Sequence, residues 1–203
     1  MRKTKEEAAI TRQNLLDAAL NVFSREGYAA TTLDDVAKEA GVTRGAIYWH
    51  FGGKAELYTT LITESEAASQ IRMDELVAEG GGVIDIMRRI AVHLLREIDQ
   101  NERTRAIHEL VMFKTGIEPE LEQGMERKRQ GIAALVSEIE GYMQIGIDSG
   151  EIRPDVNARD AALAFLGIQQ GVIMMWLLNP SVVSLKQRAD SLMDIFFEGI
   201  RAT

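Results

Sequence analysis

Apolar residues recur at three- and four-residue spacing along nearly the whole chain, with no sustained alternation of apolar and polar positions. That period predicts an all-α protein. The first helix is expected from about Lys5 to Glu26, where Leu15, Leu16, Ala19, Val22 and Phe23 share one stripe and Gly27 ends it. Thr32 can cap a second helix, with Asp35 completing a capping-box-like pair, and that helix turns Leu33, Val36 and Ala37 inward. Gly41 breaks it, Val42 can plug the turn, and Thr43 caps a third helix over residues 44–51. Two short helices across a glycine-containing turn form a helix-turn-helix pattern. Longer helices are expected at about 54–78, 83–100, 102–115, 119–148, 157–178 and 184–201. Gly80-Gly81-Gly82, Pro119, Pro154 and Pro180 punctuate them. Gly124, Gly131, Gly141 and Gly146 predict a kink or split in the 119–148 helix. The expected division is a three-helix helix-turn-helix domain over 1–56 and a larger helical ligand-binding and dimerisation domain over 57–203. No internal repeat or low-complexity tract is present.

One stretch departs from the ordinary pattern. In TRGAIYWHF, residues 43–51, four of the last five side chains carry rings, although aromatic residues are only 6% of the chain. On a helical wheel Ile47 and Phe51 fall on one side, Gly45 and Trp49 on the other, and Tyr48 and His50 on the flanks. The core side is then satisfied within the domain, while the opposite side needs a partner. The second helix of a helix-turn-helix enters the DNA major groove. Gly45 lets backbone approach closely, and Arg44 can reach guanine O6 and N7. Tyr48 and His50 can donate to phosphates, and Trp49 can lie against sugar-phosphate or a thymine methyl. Thr32, Thr43 and Lys54 sit at helix starts, where free backbone N–H groups favour phosphate. Arg2, Lys3 and Lys5 make a short basic arm.

Charge sharpens this picture. The 203 residues carry a formal net charge of -8, yet residues 1–56 hold eight basic and eight acidic side chains and are neutral. The acidic surplus lies wholly beyond them, so the overall sign does not argue against DNA. There are no cysteines, which removes disulfides and thiolate metal sites and fits a reducing compartment. No apolar run follows the basic N-terminal residues, so no signal peptide is expected and the protein is read as cytoplasmic. Residues 161–178 are uncharged and near the minimum length of a membrane span. Gln169 and Gln170 at their centre favour a helix buried in a core or subunit interface instead. The histidines show no H-x₃-H pair, and no phosphate-cradling loop or nucleophile signature appears. No catalytic residue, metal or cofactor is expected. A helical module that docks another protein through the aromatic helix is the remaining reading from a different class.

The stretches TTLDDVAKEAGV (31–42) and TRGAIYWHFGGKAEL (43–57) together resemble the DNA-binding domain of the TetR family of transcriptional repressors. Gly52-Gly53 stands where that family more often has a polar pair. RKTKEEAAITRQNLLDAAL, RTRAIHELVMFK and GVIMMWLLNP are similar to the branch that represses multidrug efflux pumps. The resemblance implies a homodimer formed through about 157–178 and 184–201, a near-palindromic operator, and release by a small lipophilic inducer, cations included. It places Glu66, Ile90, Leu94, His108, Met112, Phe113, Phe165, Leu166 and Gln170 as ligand-pocket candidates, with Glu66 as the partner of a cation. An acyl-CoA or other metabolite as ligand is the alternative within the same family.

Overall fold

The structure is a computed structural model and describes residues 5–202. Arg2 and Lys3 lie outside the described residues. Within them the chain forms nine α-helices and no strand, only an isolated bridge between Ile152 and Arg201. The helices are α1 (Lys5–Glu26), α2 (Leu33–Glu39), α3 (Arg44–Phe51), α4 (Lys54–Ala78), α5 (Val83–Gln100), α6 (Glu102–Glu109), α7 (Glu122–Asp148), α8 (Ala158–Leu178) and α9 (Leu185–Ile200). They pack into two compact units. One holds the described residues up to Ala68 together with Ala106–Met125; the other holds Ser69–Arg105 and Glu126 onward. The expected cut at residue 56 therefore does not follow the packing, because 106–125 returns to the first unit.

The first unit is built on α1. Leu15, Leu16, Val22 and Phe23 are fully buried, against Ile47 of α3 and Leu57 of α4. Gly27 takes φ +81 and closes the helix with its N–H on the Phe23 carbonyl at 2.8 Å. Tyr28 follows, fully buried, stacked on Phe23 at 5.6 Å and edge-on to Tyr58 at 5.0 Å. Its N–H donates to the Lys114 carbonyl at 2.8 Å, and the Lys114 ammonium donates back to the Ser24 carbonyl at 2.5 Å. This holds residues 110–114 on the end of α1.

Those residues depart from the expected 102–115 helix. After α6 the chain widens into one π-helical turn, Leu110–Lys114. The cause is Thr115, whose buried hydroxyl donates to the Leu110 carbonyl at 2.8 Å and shares a 2.8 Å hydrogen bond with Tyr58. Such a turn spans one residue more than an α-turn and persists where side chains hold it.

The second unit packs α5 along α9. Ile84, Ala91, Leu95 and Ile98 of α5 and Ala189, Met193 and Phe197 of α9 are buried. Arg88 donates to Asp190 at 3.2 Å and to Asp194 at 3.1 Å, and Arg96 pairs with Asp190. The hydrogen bond from Arg88 holds the Asp194 carboxyl below its ordinary pKa. The start of α5 is capped from a distance: the Glu151 carboxylate accepts the N–H groups of Val83 at 3.1 Å and Ile84 at 3.3 Å. The expected split does not occur within residues 122–148. Pro119–Leu121 is a separate 3₁₀ turn, and α7 is continuous. A glycine in a helix costs about 1 kcal/mol, too little to break one anchored by buried Val136, Ile139 and Met143. In α8, the helix long and apolar enough to cross a membrane by composition, 39% of the apolar window is buried, and Gln169 is among its buried residues.

Candidate nucleic-acid interface and ligand-site residues

The turn into α3 is built as its sequence requires. Thr32 forms a complete capping box: its hydroxyl accepts the Asp35 N–H at 3.2 Å, and its own N–H donates to the Asp35 carboxylate at 3.1 Å. Gly41 takes φ +66, a conformation costly for residues with a Cβ, and the Val42 N–H returns to the Ala37 carbonyl at 2.9 Å. Thr43 occupies the N-cap position of α3 in extended geometry, but its side chain makes no capping bond. The first-turn support comes from its carbonyl instead, which accepts the Ala46 N–H at 2.9 Å.

On α3 the ring cluster divides. Ile47 and Phe51 are buried in the domain core. Trp49 is 73% exposed and Tyr48 48%, with His50 half-buried and edge-on to Trp49 at 4.4 Å. No heavy atom outside its own turn meets a Cβ built on Gly45 except the Thr43 hydroxyl at 3.7 Å, so the backbone there is open. Lys5, at the start of α1, is exposed.

Two expected contacts are committed elsewhere in the free chain. The Arg44 guanidinium donates to the Tyr48 hydroxyl at 3.0 Å and to Asp34 at 3.2 Å. Asp34 is ten residues away on α2, and sequence reasoning passed over it because nothing local marks the pair. Lys54 is turned inward: its ammonium donates to the carbonyls of Tyr28 at 3.2 Å and Thr31 at 3.3 Å, and lies 4.4 Å from the Tyr28 ring centroid. Glu120 receives the Tyr28 hydroxyl at 2.7 Å and sits 3.7 Å from the same ammonium. Burial, followed by that hydrogen bond to Glu120, raises the Tyr28 pKa far above its ordinary range. Lys54 thus ties the 28–31 loop to the start of α4. No sequence signal pointed to Tyr28 or Glu120 as its partners.

The chain matches the family model for bacterial regulatory proteins of the tetR family over residues 15–61. The C-terminal region of MAATS-type transcriptional repressors matches over residues 83–201. It is 33% identical to the transcriptional regulator AcrR of Shigella flexneri over 198 residues, 97% of this chain and 92% of that protein. This chain belongs to the TetR family. The same likeness holds with the regulator TtgR of Pseudomonas putida, 31% identical over 206 residues, 99% of this chain and 96% of TtgR. Among solved structures, NalD, the secondary repressor of the MexAB-OprM multidrug efflux pump in Pseudomonas aeruginosa, superposes with a TM-score of 0.84. NalD is 24% identical and covers 96% of this chain and 97% of its own, a likeness of fold. The protein is therefore a TetR-family transcriptional regulator with an N-terminal helix-turn-helix and a larger C-terminal helical domain.

The nine pocket candidates fall in both units of this TetR-family chain. Glu66 on α4 is exposed, His108 on α6 and Met112 in the π-turn are half-buried, and Phe113 is 43% exposed; all four belong to the first unit. In the second unit Ile90, Leu94 and Leu166 are half-buried and Gln170 is exposed, while it is the neighbouring Gln169 whose amide is buried. Phe165 is buried, with its ring 5.7 Å from both Phe196 and Phe197. Much of the Phe165 surface is therefore already taken by the core.

Proposed function

We propose that the protein is a dimeric repressor of a multidrug efflux pump, released from a near-palindromic operator by a lipophilic small molecule. The chain-long likeness to the AcrR and TtgR regulators supports this reading, and the exposed Trp49 face of α3 is the observation that carries the DNA-binding half. In the reading head Trp49, Tyr48 and His50 lie along the DNA backbone, with Gly45 at the closest approach. Thr32 and Thr43 bring helix starts to phosphates, and Lys5 extends the basic arm with Arg2 and Lys3. Arg44 exchanges Asp34 for a guanine edge, a trade of one charge-assisted contact for another. Lys54 acts chiefly by holding the loop before α2, and its backbone N–H at the start of α4 remains suited to a phosphate.

Dimerisation is assigned to α8 and α9. Leu163, Ile168, Met174, Met175 and Leu178 on α8 and Ile195 on α9 are exposed apolar side chains. Gly167, Gly171 and Gly199 have open space at their Cβ positions, so another backbone can come close. A two-fold dimer places its recognition helices about one DNA turn apart, ~34–36 Å. Within the second unit, inducer contacts are assigned to Ile90, Leu94 and Leu166, with Gln170 supplying polarity and Phe165 backing them. The inducer acts only through better binding to the off-DNA shape, with ~1–3 kcal/mol of coupling as the usual range. A mobility-shift titration with crystal violet and ethidium tests this. Release at micromolar dye is expected; operator binding unchanged across a broad panel of such compounds rejects the efflux assignment.

A further inference from the structure

We propose that the second unit carries a separate site for a small aromatic carboxylate, on the polar face of α5. A cleft of about 390 Å³ lies along that face, within the size range of small-molecule sites. Three arginines line it, Arg88, Arg89 and Arg96, against two carboxylates, Asp85 and Asp190. The lining itself has one positive charge in excess, with Asp194 and Glu79 pairing Arg88 and Arg89 from just beyond it. A metal ion does not fit it, since the described residues hold no cluster of three potential ligands.

The arginines are not equally free. Arg88 is committed to Asp190 and Asp194. Arg96 pairs with Asp190 but its side chain is 43% exposed, and a guanidinium has five N–H donors. Arg89 sends one nitrogen to the carbonyls of Leu76 at 2.9 Å and Gly80 at 2.8 Å. Its Nε is buried 3.2 Å from a Glu79 oxygen without forming a hydrogen bond. His93 Nε2 is also buried and has no hydrogen-bond partner. Buried nitrogens left unbonded are rare in folded proteins. Here His93 Nε2 is such a nitrogen, while Arg89, one helical turn before it in the same cleft, has its Nε ion-paired with Glu79. A carboxylate oxygen can accept from the exposed edge of Arg96, and from His93 Nε2 once a turn of the ring uncovers it, while Leu76 and Val92 offer an apolar wall for a ring.

This face is not the inducer face. At about 100° per residue, Arg89, His93 and Arg96 fall within about 60° of one another, and Ile90 and Leu94 are centred about 110° further round the same helix. None of the nine inducer-pocket residues lines the cleft.

The test uses the protein without DNA, so its outcome is independent of the efflux assignment. The His93 ring resonances are followed by NMR as sodium benzoate is added at ionic strength held constant with sodium chloride. Inorganic phosphate serves as the second probe; benzoate affinity in His93→Gln and Arg96→Gln is read beside the parent by titration calorimetry, and melting temperatures check that each variant folds. A saturable shift with benzoate, weaker binding of phosphate, and at least a tenfold loss of benzoate affinity in both variants are expected. A shift that never saturates overturns the proposal. So does phosphate binding as tightly as benzoate, or a folded His93→Gln protein that binds benzoate like the parent.

Discussion

Removing the Trp49 ring separates the two sides of α3. The side chain is 73% exposed in the free protein, and a tryptophan presents at most about 250 Å² to be buried, so about 180 Å² is available to a partner. If DNA covers half of that, about 90 Å² leaves water, worth ~2 kcal/mol per subunit at ~25 cal/mol per Å². A dimer uses two such heads, so Trp49→Ala should weaken operator binding by ~4 kcal/mol, roughly a thousandfold. It should barely move stability, because the ring packs on little of the domain beyond the His50 edge. Ile47→Ala is the reference substitution two residues away. Ile47 is fully buried, and its truncation should cost ~2–5 kcal/mol of stability. For a chain of this size that is a fall in melting temperature of roughly 4–20 °C. Fluorescence anisotropy with labelled operator at fixed salt, beside thermal melts, reads both quantities. The division of α3 into a core side and a reading side is refuted if Trp49→Ala binds operator within twofold of the parent. It is also refuted if that variant loses as much stability as Ile47→Ala.

Other substitutions probe the supports of the reading head. Lys54→Met should lower stability by ~1–2 kcal/mol by freeing two carbonyls, yet leave the salt dependence of operator binding unchanged; a slope reduced by about 1 per subunit marks a phosphate contact instead. Arg44→Ala should relax discrimination at one base pair by ~1–3 kcal/mol, whereas a uniform loss over all operators, read by selection from random DNA, contradicts a guanine contact. Asp35 has its pKa lowered by hydrogen bonds from the Thr32 side chain and backbone. Its contribution is therefore present above the unfolded value of about 4 and lost as pH falls through the lower folded one. Denaturant titrations should show Asp35→Asn least stable relative to the parent at pH 7, with the gap closing toward pH 3.

Legibility from the sequence tracked the range of the interaction. The helix spans, the capping box and the two-sided α3 depend on residues within about four positions of one another, and periodicity records such neighbours directly. The missing Thr43 cap shows the limit of that logic: a capping residue in the right place does not oblige its hydroxyl to bond. The π-turn at Leu110–Lys114 was invisible because Tyr58, 57 positions from Thr115, holds the hydroxyl that closes it. Residues expected to touch a ligand were the least legible, since Gln169 and Gln170 differ in burial by packing alone.

By itself the sequence determined an all-α chain, a helix-turn-helix with Ile47 and Phe51 inward and Trp49 outward, and the family to which it belongs. Those follow from local spacing and from a motif whose residues are adjacent along the chain. Only the tertiary structure decided that 106–125 packs with the N-terminal unit, and that Lys54 supports a loop. The capping of α5 by Glu151, 68 residues after Val83, was likewise its decision, as was the polar cleft beside His93. Each of these joins groups far apart in sequence. Their chemistry was present in the residue types, but distance and direction came with packing.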